Sequence, residues 1–381
     1  MTSDDVPIGR RVASWRVRRQ MTQQMLADRL RRSKSWVDKI ERGVRPLDRY
    51  SVIQELSRVL RVDPEVLLGQ PPSTPTSTPA GVDDIRASLA RYDIRQAPPQ
   101  TDELRRQVGH AWLSYQHAHY GQLVRLLPGL LVAAQGARKA ELLVHSYRIT
   151  SSLLVKLGEA DLGWLAADRA MGAAAADPAL AASAAVSVGQ ALRASGRDHL
   201  ALTATLAAAS RVRPQRSAGE WAVGGTLLVQ AALAAAGCGE HRRADELTDR
   251  AAGVATNLRV YDDQHRTSFG PIVVDLARVL LAAQRGAADE AVRRHSIVMR
   301  REGWRWLPAE YRGAYLLDAA RVYVHAGDLR GAARALVDAD CVAPAEVRAR
   351  PLARTLIADC ARARPAPAGV ARLATLVGLT R

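Results

Sequence analysis

A repeated pattern of glycine and small residues places the strongest limit on the fold of this 381-residue chain. Five glycines, Gly158, Gly196, Gly239, Gly286 and Gly327, are each followed by small residues five and twelve positions later. These are Gly163 and Ala170, Ala201 and Ala208, Ala244 and Ala251, Ala291 and Val298, and Ala332 and Ala339. Successive glycines are 38, 43, 47 and 41 residues apart, a period typical of helical-hairpin solenoids. We expect each glycine to end one helix, and the small residues to let the paired helix approach closely.

The spacing resembles that of tetratricopeptide repeats over roughly residues 102 to 345, where the glycine turn and the two alanines match. The period is longer than in that family, and most of its aromatic positions are absent. The resemblance implies a superhelix with a concave face that binds peptides or protein partners. A degenerate first unit is predicted from Glu103 to Gln135, with Ala118 in the place of the glycine, and the tail from Ala345 to Leu379 is predicted to form two capping helices.

Near the N-terminus, residues 22–43 read TQQMLADRLRRSKSWVDKIERG, which predicts two short helices and a turn. The apolar residues that recur at helical spacing are Met25, Leu26 and Leu30, then Val37 and Ile40 after a polar break. Thr22 and Ser33 are suited to cap the two helices, and Gly43 to end the second. Amphipathic stretches flank this segment at residues 8–20, 52–60 and 62–67. We therefore expect a five-helix bundle.

This segment resembles the repressor/Cro type of helix-turn-helix, also called the xenobiotic-response-element family, over roughly residues 8 to 69. The matching elements are Thr22-Gln23, Leu26-Ala27 and Ile40-Glu41-Arg42-Gly43. The resemblance implies that residues 33–42 form the recognition helix in the major groove. It also implies base contacts by Lys34, Ser35 and Lys39, a buried ion pair between Arg16 and Glu41, and a Gln23 that binds phosphate and braces the reading residue beside it. We further predict a base contact by Trp36 and phosphate contacts by Arg31, Arg32, Arg42 and Arg45.

Two positions depart from the family pattern. Arg31 stands where the turn usually has glycine, so either a non-glycine residue is left-handed at about 1–2 kcal/mol or the second helix continues. Trp36 is large for a position that is usually small. It could contact a thymine methyl group or a deoxyribose, or it could be a half-exposed packing residue.

The distribution of charge independently indicates nucleic-acid binding. Residues 9–45 contain twelve Arg or Lys against three acids, a net charge of +9, whereas the other 344 residues carry only +7 of the total +16. Basic charge concentrated on one small bundle is typical of a phosphate-binding surface. Lys34 and Lys39 are two of only four lysines in the chain. Because lysine can donate to guanine O6 and N7, we expect guanines in each half-site.

Other classes of protein are disfavoured by what the chain lacks. It has no run of 18 apolar residues and no apolar N-terminal core of a signal peptide, so we expect a cytoplasmic protein with no membrane partner. Cys238, Cys341 and Cys360 are scattered singly, which predicts reduced, buried thiols. Motifs for nucleophilic catalysis, metal binding and phosphate or dinucleotide loops are missing. We therefore predict no enzyme activity, no cofactor and no metal site.

The predicted organisation is all-α, with four parts. A helix-turn-helix head spans residues 1–69, a linker rich in Pro, Ser and Thr spans 70–81, a tetratricopeptide-like repeat domain spans 82–345, and capping helices span 346–381. Because one reading helix covers only a few base pairs, we expect a homodimer on a pseudo-palindromic operator of double-stranded DNA.

A helix-turn-helix head on such a body looks like the peptide-pheromone receptors of Gram-positive bacteria, which implies a peptide or protein ligand in the concave groove. Those receptors commonly clamp the peptide with asparagines, and Asn257 is the only asparagine here. Cationic and aromatic side chains would have to act instead. The ligand candidates are Trp112, Tyr115, Arg148, Arg193 and Arg278. Alternatively, the aromatic residues pack between helices and bind no ligand. A separate alternative is that the repeats form a scaffold that recruits a protein partner, and that the head only localises this scaffold on DNA.

Overall fold

The computed structural model describes most of the chain, and it is helical throughout the described part. The described residues are 7–45, 47, 50–60, 62, 67, 81–91, 99–174, 177–212, 218–256, 258, 265–363, 366–367 and 369–379. The predicted linker therefore lies outside these ranges except for Gly81, whose φ is +98°.

The head contains four described helices around a small apolar core. They are α1 (Ile8–Arg18), α2 (Gln23–Arg29), α3 (Lys34–Glu41) and α4 (Tyr50–Leu60). The Thr22 hydroxyl accepts a hydrogen bond from the Met25 amide, and the Ser33 hydroxyl accepts one from the Trp36 amide, both at 3.1 Å. The fifth predicted helix falls mostly outside the described residues, although Leu67 is buried in the head core.

The turn between α2 and α3 resolves the question raised by Arg31. Arg31 has a φ of +52°, and the Arg32 amide donates to the Ala27 carbonyl at 2.9 Å, the hydrogen bond that closes a left-handed helix end. Helix α2 therefore stops at the turn, and a non-glycine residue carries the strained conformation. Met25, predicted to be in the core, is instead 42% exposed because α2 turns only Leu26 and Ala27 inward.

The body is a series of antiparallel helical hairpins. Its described helices are α5 (Val82–Ala90), α6 (Thr101–Gln116), α7 (Tyr120–Ala137), α8 (Ala140–Lys156), α9 (Ala160–Ala173), α10 (Pro178–Ala194), α11 (Asp198–Ala209), α12 (Ala218–Gly237), α13 (His241–Thr256), α14 (Pro271–Gln284), α15 (Ala288–Val298), α16 (Gly303–Trp306), α17 (Ala309–His325), α18 (Leu329–Val342), α19 (Pro344–Ala349), α20 (Pro351–Ala361) and α21 (Val370–Leu376). Consecutive helices pack together, with α8 on α9 and α12 on α13 as two of the most extensive contacts.

The repeat glycines lie where the sequence pattern predicts. Each ends a hairpin turn with φ between +70° and +87°, a conformation that costs glycine little because it has no Cβ. Ala118 takes the same conformation, with φ +58°, in the degenerate first unit. The small residues that follow are buried in the next helix, except for Ala208, which is half-buried. The spacing therefore reflects a packing requirement between the paired helices.

The two ends of the body meet through buried charges. Lys156 contacts the carboxylates of Glu310 and Glu346, the latter at 2.7 Å. Tyr115 donates to Glu310 at 3.0 Å, Tyr120 donates to Glu346, and Arg350 contacts Glu346 at 2.7 Å. We call these six residues the closing network. Because it joins α6 to α8 with α17 and α19, the last hairpins pack back onto the first.

This closure modifies the prediction for the tail. Helix α19 spans the predicted boundary at residue 346, and Glu346 is fully buried. Three helices, α19 to α21, follow Val342 where two were expected. The tail therefore contributes to the internal contacts of the body as well as covering its end.

The three cysteines do not share one environment. Cys360 is buried, Cys238 is half-buried and Cys341 is exposed. The expectation of buried thiols is therefore wrong for Cys341, which lies on the solvent side of α18. Within the ranges given above, no helix is long and apolar enough to cross a membrane.

A buried histidine makes the stability of the body depend on pH. His295 on α15 stacks on Tyr315 with ring centroids 5.6 Å apart, and its Nδ1 lies 2.9 Å from the Tyr315 hydroxyl. Burial lowers the pKa of His295 from 6.5 to about 4. Because the unfolded chain takes up this proton at a higher pH than the folded one, stability is lost as the pH falls from 6.5 towards 4.

Replacing His295 with phenylalanine removes the proton while keeping an aromatic ring. We expect the melting temperature of His295→Phe to fall less steeply than that of the wild type between pH 6.5 and about 4. Thermal unfolding followed by far-UV circular dichroism would measure this, with the exposed His199→Gln as the matched control. Equal slopes for wild type and His295→Phe would contradict the assignment.

Candidate nucleic-acid interface

Helix α3 presents a polar, basic face to solvent. Its inner face buries Val37, Ile40 and Glu41, so the helical spacing turns the opposite face outward. Ser35 and Lys39 are exposed one turn apart on that face, and Lys34 is exposed at the N-terminal end of the helix. Three of the four predicted base-reading side chains are thus accessible to solvent on α3.

A bidentate ion pair holds α3 against α1. Arg16 Nε donates to Glu41 Oε1 at 2.6 Å, and Nη2 donates to Oε2 at 3.0 Å. Arg16 also donates from Nη1 to the Met21 carbonyl at 2.7 Å. The hydrogen bonds from Arg16 to Glu41 raise the pKa of the guanidinium, against the effect of burial. Such planar pairing fixes the position and the orientation of the two side chains relative to each other. It therefore fixes the angle between α3 and α1.

Gln23, predicted to bind phosphate, extends this ion pair. Its Nε2 donates to Glu41 Oε2 at 2.9 Å, and the side chain is half-buried. The hydrogen bond connects the first residue of α2 to the end of α3. In this structure Gln23 therefore acts first as a brace between the two helices.

The four arginines predicted to bind phosphate are all exposed, but they have different partners. Arg42 pairs with Asp38 at 3.4 Å, and Arg32 lies over the Trp36 ring, 5.5 Å from its centroid. Arg31 donates to the Gly237 carbonyl of the body at 3.5 Å. The Arg45 amide donates to the Lys39 carbonyl at 3.0 Å, which places Arg45 just after the end of α3.

Part of the basic charge of the head is structural. Arg11 donates from Nε to the Leu67 carbonyl at 2.8 Å, and Arg19 donates from Nε to the Leu60 carbonyl at 3.0 Å. Leu60 ends α4, where main-chain carbonyls lack intrahelical donors. These two arginines therefore stabilise the bundle, and the net charge alone overstates the number of phosphate-binding side chains.

Trp36 is half-buried and packs against the apolar core of the head. With Arg32 over its ring, it has the environment of the packing residue considered as one alternative. Its outer edge stays beside the exposed face of α3, so a contact to a thymine methyl group or a deoxyribose remains a prediction.

The structure brings three of the five ligand candidates together. Trp112 and Tyr115 contact edge-on with centroids 5.9 Å apart, and the Arg148 guanidinium lies 5.3 Å from the Trp112 centroid. His145 joins them, with its ring 6.1 Å from Trp112. Burial, followed by the charges of Arg148, His265 and Arg266, lowers the pKa of His145 to about 3. The cluster is therefore aromatic, buried and rich in donors.

The other two candidates lie elsewhere. Arg193 donates from Nη1 to Gln230 Oε1 at 2.8 Å, between α10 and α12. Arg278 contacts Asp249 at 3.0 Å and Asp275 at 3.5 Å. Because two carboxylates already face Arg278, it is a poor choice for selecting an acidic ligand.

A groove of about 530 Å³ opens elsewhere on the body, between α11, α12 and α13. Trp221, Leu228 and Val254 contribute its apolar lining, and Arg250 its basic part. None of the five ligand candidates lines this groove.

Sequence reasoning missed the carboxylates of the closing network and also His145. Glu310 and Glu346 resemble ordinary helix-surface acids in sequence, and nothing in their spacing indicates that they meet. Lys156, as one of four lysines in an arginine-rich chain, was the one available signal. Within the described part of the chain, no group of histidine, cysteine and carboxylate side chains is placed to hold a metal ion.

Comparisons with known proteins bear on the head more than on the body. A family model described as a helix-turn-helix domain matches residues 7–68, and no curated protein matches the chain. Matching solved structures include the crystal structure of Bacillus thuringiensis PlcR in complex with the peptide PapR7 and DNA. It has 10% identity, covers 76% of this chain and 93% of that chain, and gives a TM-score of 0.39.

The family match covers residues 7–68, and this range includes α2, α3 and the turn between them. The chain therefore contains an N-terminal helix-turn-helix domain, which is followed by an α-helical solenoid.

Proposed function

We propose that the chain is a cytoplasmic, non-enzymatic transcription regulator that binds a pseudo-palindromic DNA operator as a homodimer, and that its repeat domain senses a ligand such as a short peptide. The exposure of Lys34, Ser35 and Lys39 on a braced α3 is the observation that carries the proposal. A helix held by a bidentate ion pair can enter the major groove with its side chains already positioned.

Dimerisation follows from the size of the recognition surface. One helix of eight residues reaches only a few base pairs, which is too little to select a site in a genome. Two heads on half-sites one or two helical turns apart would supply the missing specificity. The body would then set the distance between the heads.

The aromatic cluster around Trp112 supports a polar ligand for the body. Trp112 Nε1 and His145 Nδ1 are buried and have no hydrogen-bond partner among the described residues. Buried polar atoms of this kind are costly unless a partner is supplied. Arg148, 3% exposed beside them, would favour an acidic side chain or a C-terminal carboxylate.

Isothermal titration of the full-length protein with a peptide library would test this site. We expect heat from peptides ending in a free carboxylate, and its loss in Trp112→Phe, which deletes the indole donor but keeps a ring. Absence of heat with every peptide would remove the ligand proposal. Binding that leaves DNA affinity unchanged would favour the scaffold alternative.

Binding-site selection with the purified full-length protein at physiological salt would test the DNA proposal. A palindromic motif with guanines in each half-site is the expected result, because two lysines face the bases. Absence of any enriched motif would contradict sequence-specific binding.

Substitution of Lys34 should change specificity more than affinity for random DNA. We expect Lys34→Ala to lose about 1–3 kcal/mol of discrimination between the selected site and random duplex. Arg32→Ala should weaken binding to both and reduce the slope of log affinity against log salt by about 1. Fluorescence anisotropy at several salt concentrations would measure these changes. Equal effects of the two substitutions on discrimination would contradict the assigned roles.

A further inference from the structure

Described residues of the head contact the body through α4 and through the turn that follows α2. Helix α4 packs against α20, and Arg31 donates from Nη2 to the Gly237 carbonyl at 3.5 Å. Gly237 is the last residue of α12, where carbonyl oxygens lack intrahelical donors and form the negative end of the helix dipole. A guanidinium is attracted to such a position, so the contact has an electrostatic cause.

A carboxylate lies directly against the same turn. A Cβ added to Gly237 would be 2.4 Å from Cγ of Asp198 and 2.6 Å from one of its oxygens. Only glycine therefore lets Asp198, the first residue of α11, approach the end of α12 so closely. Burial raises the pKa of Asp198, and the charges of Arg193 and Arg31 act in the opposite direction. The carboxylate thus interacts electrostatically with one arginine of the body and one of the head.

We propose that Asp198 and the α12 carbonyl end form a docking site for Arg31 that competes with DNA for this guanidinium. The inference rests on the proposed function, because it requires the head to bind DNA through phosphate contacts. Arg31 lies in the turn of the helix-turn-helix motif. A guanidinium held by the body contributes less to a phosphate contact, so the docked head binds DNA more weakly.

Arg193 connects this docking site to the interior of the body. It interacts electrostatically with Asp198 and donates to Gln230 on α12 at 2.8 Å.

The test measures DNA binding by the full-length chain, with a random-sequence, GC-rich duplex as the probe. We expect Asp198→Asn to bind about two- to fivefold more tightly than the wild type, as for loss of one partly exposed charge interaction. Asp245→Asn is the matched control, because it removes an equal charge that is paired with Arg285 of the body. An equal gain in both variants would show a general charge effect and overturn the docking site.

A double-mutant cycle makes the test specific. Arg31→Gly keeps the left-handed turn but removes the docked side chain. In that background Asp198→Asn should have no further effect on DNA affinity, and a persistent gain would overturn the proposal.

If the wild type does not bind the duplex even at low salt, both the docking site and the proposed function fail. Wild-type binding with no gain in Asp198→Asn overturns the docking site alone.

The neighbouring cysteine provides a second measurement in the unmodified protein. Cys238 follows Gly237 and is half-buried, whereas Cys341 is exposed. If DNA draws the head away from the α12 end, saturating duplex should raise the alkylation rate of Cys238 several-fold relative to that of Cys341. An unchanged ratio would overturn competition between docking and DNA.

Discussion

Replacing Lys156 with methionine is expected to destabilise the body by about 3–5 kcal/mol, the usual cost of breaking a buried ion pair. Lys156 is 9% exposed, and it lies between Glu310, 8% exposed, and Glu346, which is fully buried. Methionine fills a similar volume but leaves two buried carboxylates facing each other. Hydrogen exchange of the α6, α8, α17 and α19 amides would report the loss where the two ends of the body meet.

Two further variants separate charge from packing. Arg242→Ala removes an exposed pair with Glu246, 3.6 Å apart, and should change stability by less than about 1 kcal/mol. The double variant Lys156→Met, Glu310→Gln removes the lysine together with one of its two carboxylates and leaves Glu346 paired with Arg350. It should recover most of the loss, because neutral groups avoid the desolvation cost of unpaired ions. No recovery would show that Lys156 acts through packing.

The closing network should also make the stability of the body sensitive to acid. Burial would raise the pKa of Glu346, but Lys156, Arg350 and the hydrogen bonds from Lys156 and Tyr120 hold it below 4.5. A carboxylate whose pKa is lower in the folded chain than in the unfolded chain stabilises the fold when the pH is above its unfolded-state pKa. This stabilisation is lost as the pH falls through the folded-state pKa. The body should therefore lose stability in two stages on acidification. His295 and His145 act first, below pH 6.5, and Glu346 acts below pH 4.5.

Replacing Glu41 with alanine is expected to destabilise the head by about 3 kcal/mol, since it leaves Arg16 partly buried without its carboxylate. The substitution also removes the acceptor of Gln23. With both interactions lost, α3 is no longer held against α1 and α2. Faster hydrogen exchange across α1 to α3 in the full-length protein, with the body unchanged, is the expected measurement.

Asp38→Ala is the matched control on the same helix. It breaks the exposed pair with Arg42, whose atoms are 3.4 Å apart, and should cost less than about 1 kcal/mol. Similar exchange in Glu41→Ala and Asp38→Ala would contradict the bracing role of the ion pair. Because Glu41 lies on the inner face of α3, Glu41→Ala should also weaken DNA binding without contacting DNA.

Local features of the fold were predictable because they depend on residues close in sequence. Thr22 and Ser33 cap helices because their hydroxyls reach amides three residues later. Gly158 and the other repeat glycines end hairpin turns because a left-handed residue is easiest without a Cβ. The exposed face of α3 follows from the helical spacing of Val37 and Ile40.

The environment of the ligand candidates was not predictable in the same way. Tyr115 seemed available to a ligand, yet its hydroxyl donates to Glu310, 195 positions away in the chain. Arg278 seemed suited to an acidic ligand, yet Asp249 lies 3.0 Å from it. Hydrogen bonds between distant hairpins depend on how the solenoid curves, and no local pattern encodes that curvature.

The amino-acid sequence by itself determined that the chain forms a helix-turn-helix head and a series of helical hairpins, because caps, turns and apolar spacing act within a few residues. Only the tertiary structure decided which charges meet. Lys156 contacts Glu310 and Glu346, and Arg31 contacts the end of α12. These contacts join segments that are distant in sequence and that only the packing of whole helices brings together. The physical reason is that a side chain's partner depends on burial and distance in space, which periodicity along the chain does not specify.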